Sequence, residues 1–173
     1  TKNTILFPIE QNLIDKIWVN KAKTKIKEFF ILYSKHTGKD YKKKLKIVCK
    51  ILKKMKISKL LITAPENLAW LLNIRGKDSQ YSPLPNCHAI LDDRKKITLI
   101  VNENKINNKF KNHFKNTLNY IKPSYINKYL NNLEEKEFFF IDKFSCSLFY
   151  KKLIAKKFKY KEGIDPIYFL KAK

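Results

Sequence analysis

Short apolar runs bounded by turn residues alternate along this chain with stretches whose apolar residues recur every three or four positions, and that alternation constrains the fold most. Tyr41, Leu45, Val48, Leu52 and Met55 predict an amphipathic helix over residues 41–56, with lysines filling its solvent face. Lys59 to Ile62 reads as a short buried strand. Thr63 with Glu66 has the spacing of a capping box and predicts a helix through Leu72, with Pro65 tolerated in its first turn. Cys87 to Leu91 and Lys96 to Val101 flank Asp92-Asp93-Arg94-Lys95 and predict a β-hairpin whose tight polar turn sets the register. Ile106, Phe110, Phe114 and Leu118 predict a second amphipathic helix over 105–118, with a short strand near Tyr120. Ser124 is expected to cap a helix ending near Leu133, and Glu137 to Ile141 to form a strand. Asp142 is expected to cap a helix from Phe144 to Lys156, before a last strand over 158–162. Together these elements predict an α/β fold, a mixed β-sheet flanked by helices on both faces.

Before Tyr41 the pattern is irregular: an apolar stretch from Ile5 to Ile9, a short helical piece over 12–18, and an extended Phe29 to Tyr33 closed by Gly38. Residues 1–40 therefore read as a connecting arm rather than a core element. The chain is long enough to bury one core without disulfides or a metal, and Cys49, Cys87 and Cys146 are odd in number and spread among apolar neighbours, as buried free thiols are. No apolar run is long enough to cross a bilayer and no signal peptide opens the chain, so a cytoplasmic protein with no membrane association is expected.

A formal charge of +23 raises the question of nucleic acid. Composition argues against it. Arg75 and Arg94 are the only arginines among 38 basic residues, whereas phosphate and groove readers lean on the bidentate guanidinium. Lysine also arrives with abundant Asn and Ile, the residues of A/T-rich codons, so coding bias filling solvated faces accounts for the charge.

Catalytic patterns are scarce. His36, His88 and His113 have no second metal ligand at helical spacing. Cys87-His88 is an adjacent pair of ligand types, but strand neighbours point to opposite faces, which predicts Cys87 inward and His88 outward. With Gly38, Gly76 and Gly163 as the only glycines there is no phosphate-cradling loop, and no serine sits in a Gly-flanked elbow. Cys146 is expected in the core, on a helix, and Asp92-Asp93 as a solvated turn. One segment departs from packing logic: Asn73-Ile74-Arg75-Gly76-Lys77-Asp78, running on to Tyr81 and Pro85. It reads in two ways. Gly76 supplies a left-handed helix terminus while Arg75 meets the last carbonyls; or Arg75, Asp78, Tyr81 and His88 face a partner or a substrate cleft from a semi-rigid loop.

The run Pro65-Glu66-Asn67-Leu68-Ala69-Trp70-Leu71-Leu72-Asn73-Ile74-Arg75-Gly76, followed by Lys77-Asp78, Pro83 and Ala89-Ile90-Leu91, resembles the middle domain of the Xaa-Pro aminopeptidases (aminopeptidase P) of the creatinase/prolidase family. Asn12 to Trp18 resembles the family's junction between first and second domains. Thr37-Gly38 with the lysine-rich helix resembles the start of the second, and Ile164-Asp165-Pro166 to Lys173 the lead into the catalytic domain. The resemblance implies a creatinase N-terminal-like α/β domain over 41–165, with 1–40 arriving from a preceding domain and 166–173 starting the junction to a pita-bread catalytic domain. That domain, which would begin where this sequence stops, holds the family's two metal ions, usually manganese. No metal ligand and no catalytic residue carries over to this chain, so no peptidase activity is expected of it alone, metal-activated water being the family's nucleophile. The implied roles are packing against the catalytic domain, homo-oligomer contacts and the substrate entrance, at Arg75, Asp78, Tyr81 and His88. The chain departs from the family in lacking an Arg-Pro pair after Trp18 and in carrying Pro85 and His88 where relatives are often aromatic. The alternative is a free-standing basic binding module, for nucleic acid or a protein partner, that keeps the fold without the peptidase domain. Thr1 fits a segment of a longer gene or a short reading frame trimmed of its initiator Met.

Overall fold

A computed structural model of the chain describes residues 4, 5, 7, 9, 11–20 and 26–172. The central sheet has the order β6-β5-β4-β2-β7-β8, built from β2 (Lys59–Ile62), β4 (His88–Asp92), β5 (Ile97–Ile100), β6 (Leu118–Ile121), β7 (Phe138–Asp142) and β8 (Lys159–Gly163). Only β4 runs against the others, since it pairs antiparallel with both β2 and β5 while the remaining pairings are parallel. The expected mixed sheet is therefore present.

The apolar runs are continuous because both faces of the central strands are covered. Leu60, Ile62, Ala89, Leu91, Leu99 and Phe140 point to one side, beneath α3 (Tyr41–Lys54), α4 (Pro65–Leu72), α5 (Asn108–His113) and α8 (Pro166–Lys171). Leu61, Ile90, Ile100, Phe139 and Ile141 point to the other, beneath α6 (Ile126–Asn131) and α7 (Leu148–Ala155). The period of two along each strand thus separates two cores. The hairpin turn has the expected residues: Asp92 Oδ1 accepts from Arg94 N at 2.9 Å and Lys96 N at 2.8 Å, and Lys95 takes the left-handed conformation at φ 72°.

Several local expectations fail for identifiable reasons. The helix expected over 105–118 is only α5, because Asn116 turns at φ 71° and Leu118 is taken by β5 as the parallel partner of Ile97. Its four-residue periodicity is real burial, shared between a helix, a turn and a strand. Thr63 and Glu66 do not form a capping box. Ala64 is the N-cap of α4 without a side-chain bond, Thr63 Oγ1 lies 2.8 Å from Ser145 Oγ, and Glu66 Oε1 accepts from Tyr168 OH at 2.9 Å. Ser124 lies inside a 3-10 turn and caps nothing. Asp142 Oδ2 accepts from Ser145 N in a turn, so α7 begins only at Leu148 with Ser147 as its cap, and half-buried Cys146 precedes the helix.

The arm joins the core at its end. After α1 (Leu13–Ile17), which buries nothing, Phe29 is 1% exposed and stacks at 6.1 Å from Phe110. β1 (Phe30–Ile31) then pairs with β3 (Ile74–Arg75), ahead of the single-turn α2 (Ser34–Thr37). At the other terminus, Ile167 of α8 is fully buried. Residues expected in the arm and in the junction thus contribute to the same core.

Candidate functional site

The carboxyl ends of β2, β5, β6, β7 and β8 open on one edge of the sheet, together with the amino end of β4, which places His88 there. In open α/β sheets this edge is where ligands gather. Its residues divide into three groups.

The first closes the end of α4. Asn73, at φ 55°, is the left-handed terminus, not Gly76. Arg75 Nη1 donates to Ala69 O at 2.9 Å and Ile74 O at 2.8 Å, and buried Lys44 donates to Trp70 O at 2.8 Å and Asn73 Oδ1 at 2.6 Å. Two cations thus meet the negative end of the helix dipole. Burial, with Arg75 as the main neighbouring charge, lowers the Lys44 pKa to about 8; burial also lowers that of Arg75. The expected meeting of Arg75 with the last carbonyls is correct, and it turns the guanidinium into the fold rather than toward a cleft. Lys44 escaped notice as one lysine among many, although it lies three residues after Tyr41 and four before Val48, on the apolar stripe.

The second group holds the loop after β3. Gly76 is needed for close approach, since a Cβ there would stand 2.5 Å from Leu84 O and 3.0 Å from Pro85 Cα. Asp78 accepts from Lys105 Nζ at 2.8 Å and from Asn86 N at 3.2 Å. Lys105 is itself mostly buried, sits 5.5 Å from the Phe29 ring centre, and accepts from Phe29 N through its carbonyl. The expected semi-rigid loop thus has a concrete clamp. Beside it a cleft of about 620 Å³ is lined by Lys27, Phe30, Lys77, Asp78, Gln80 and Tyr81, among others, and Tyr81 is 90% exposed.

In the third group, His88 Nδ1 lies 2.9 Å from Tyr150 OH, the rings stand edge to face, and burial lowers the histidine pKa. Cys87 points into the opposite core, as strand alternation requires, but His88 does not point outward to solvent as expected: it is half-buried against Tyr150, because helices cover both faces of the sheet. His88, Tyr150 and Lys105 line a recess of about 220 Å³. Asp78 and Tyr81 therefore share a cleft, His88 and Lys105 face a separate recess whose lining is tied to the first by the Lys105–Asp78 ion pair, and Arg75 faces neither.

Between α4, β7 and α8 lie two buried carboxylates. Asp142 accepts from Asp165 N and Ser145 N, and Asp165 from Ile167 N and Asn67 Nδ2, so all four oxygens are engaged by N–H donors. They do not fit a metal pair, and among the described residues no group of three or more His, Cys, Asp or Glu side chains could hold a metal ion. None of the three thiols is activated as a nucleophile: burial raises the pKa of Cys49 and Cys146 to about 11 and of Cys87 to about 12.

Fold and site together define an α/β domain that shapes clefts at one sheet edge. Residues 20–173 match the sequence model of the Creatinase/Prolidase N-terminal domain, and the chain belongs to that family. Among its relatives is Xaa-Pro aminopeptidase 1 of Dictyostelium discoideum, 32% identical over 132 residues, which are 73% of this chain and 21% of the relative. A probable Xaa-Pro aminopeptidase P of Neurospora crassa is 33% identical over 116 residues, covering 66% of this chain and 17% of the relative. The chain thus spans about a fifth of the length of these relatives. Of solved structures, X-prolyl aminopeptidase from Caenorhabditis elegans, described as a cytosolic enzyme with a di-nuclear active site, superposes with a TM-score of 0.81 at 22% identity. The match covers 95% of this chain and 28% of that one, a likeness of fold. A Xaa-Pro aminopeptidase chain from Streptococcus thermophilus, of which 98% is covered, gives a TM-score of 0.50 at 12% identity. No helix among the described residues is long and apolar enough to cross a membrane.

Proposed function

We propose that this chain is a non-catalytic domain of a cytoplasmic aminopeptidase P-like metallopeptidase, whose whole polypeptide removes an N-terminal residue preceding proline. The observation that carries this reading is the family match over 20–173 by a chain spanning about a fifth of its relatives. The catalytic pita-bread domain and its two metal ions, manganese, lie elsewhere in the polypeptide. This domain contributes packing, homo-oligomer contacts and a wall of the substrate entrance. Asp78 and Tyr81 serve the entrance, because the Lys105 clamp holds their loop while leaving the phenol in solvent. Arg75 and His88 support it from behind, through the end of α4 and through Tyr150.

Steady-state kinetics on the longer polypeptide test the reading. With manganese present it releases the first residue of an Xaa-Pro peptide, and this chain alone does not. Tyr81→Ala raises KM about threefold or more with kcat unchanged, as loss of binding shared by substrate and transition state does. A polypeptide without Xaa-Pro hydrolysis overturns the family activity; an unchanged KM overturns the entrance role of Tyr81.

A further inference from the structure

Away from the sheet edge described above, α3, the β4–β5 turn and the turn before β6 enclose a recess of about 440 Å³. Six of its nine lining residues are basic: Lys42, Lys43, Lys46, Arg94, Lys95 and Lys96. None is acidic, and six of nine is well above the share of 38 basic residues in 173 for the chain as a whole. We propose that this recess binds a compact polyphosphate anion.

Three observations carry the proposal. Lys59, Lys105, Lys122, Lys136 and Lys151 are ion-paired, whereas among the described residues none of the six recess cations pairs with a carboxylate. Asp40, Asp92 and Asp93 lie on the rim and not in the lining, so the six cations repel one another across the recess, and a multivalent anion relieves that repulsion at several points at once. The recess is also built rather than incidental. Asp92 Oδ1 accepts from Arg94 N and Lys96 N, which sets the path of Arg94-Lys95-Lys96, its Oδ2 is turned toward Lys59, and Lys96 Nζ is anchored on Asn116 O at 2.7 Å. Across from that turn, Lys42 and Lys43 stand in the first turn of α3, held there by the Asp40 cap on Lys42 N, and buried Leu45 forms an apolar floor. Finally, coding bias explains lysine on convex faces but not its convergence on a concavity, nor the placement there of Arg94, the one arginine not spent on α4. The volume suits a small ligand rather than a duplex, since small-molecule pockets run to about 300–1,000 Å³.

Calorimetric titration of the 173-residue chain with inorganic tripolyphosphate tests this, with thermal unfolding as the check that each variant is folded. The expected result is one site per chain, weakened about tenfold or more by Lys46→Gln with Arg94→Gln, and changed less than about twofold by Lys159→Gln with Lys161→Gln on the exposed edge strand β8. Equal weakening by the two pairs, several weak sites per chain, or affinity for orthophosphate equal to that for tripolyphosphate would overturn the proposal in favour of diffuse charge. A single-stranded oligonucleotide that binds more tightly than tripolyphosphate and is insensitive to the recess pair overturns it in favour of an extended nucleic-acid surface.

Discussion

Replacing Asp165 by Asn changes one buried charge and little else. Asp165 is 1% exposed; its Oδ1 caps α8 through Ile167 N at 2.9 Å and its Oδ2 accepts from Asn67 Nδ2 at 2.8 Å. Desolvation outweighs those bonds and, with Asp142 adding repulsion and Lys171 offsetting a little, pushes the carboxyl from 3.8 up to about 6. The folded pKa thus lies above the unfolded one, so the folded state holds the proton more tightly. Stability linked to this group is fullest below about pH 4 and is lost as pH rises through about 6, a difference of about 3 kcal/mol by about pH 8. Asp165→Asn keeps an N-cap acceptor and removes the charge. Its new amide N–H can be met by Asn67 Oδ1, which is buried without a partner, once the Asn67 amide turns over. Urea unfolding followed by circular dichroism should show the variant more stable than the parent by up to about 3 kcal/mol at about pH 8, with the gain vanishing by about pH 4. A variant destabilised equally at both values would refute the reasoning, because the carboxylate would then stabilise through its hydrogen bonds by more than its burial costs.

Phe29→Ala should cost about 3–5 kcal/mol in the same assay, since it empties a fully buried ring site against Phe110; a loss under about 1 kcal/mol would return Phe29 to the arm. Gly76→Ala should cost about 1–3 kcal/mol, because its Cβ meets backbone at Leu84 O that cannot rotate away, and should speed proteolysis within 77–86. Unchanged stability there would show that the loop shifts freely.

The resemblance to the family was legible at residues 65–76, and the sheet was legible wherever burial is two-sided, because continuous apolar runs such as Phe138 to Ile141 have no other economical place in water-soluble α/β packing. The hairpin was equally readable, since Asp92 carries its own turn chemistry. Of the candidate site, sequence singled out Arg75, Asp78, Tyr81 and His88 but not how they divide. Arg75 turns inward because the end of α4 presents unpaired carbonyls, and His88 meets Tyr150 only because α7 crosses that face of the sheet.

What the sequence determined by itself is periodicity: which residues are buried and which faces they share, information that resides within a few neighbouring positions. What only the tertiary structure decided is the partner of each polar group. Leu118 became a strand because β5 was there to pair with it, Thr63 turned from a helix cap to Ser145, and Lys44 and Lys105 left the solvated majority of lysines for Asn73 and Asp78. A buried donor must find an acceptor, and acceptors many residues away in sequence come within reach only after the chain has folded.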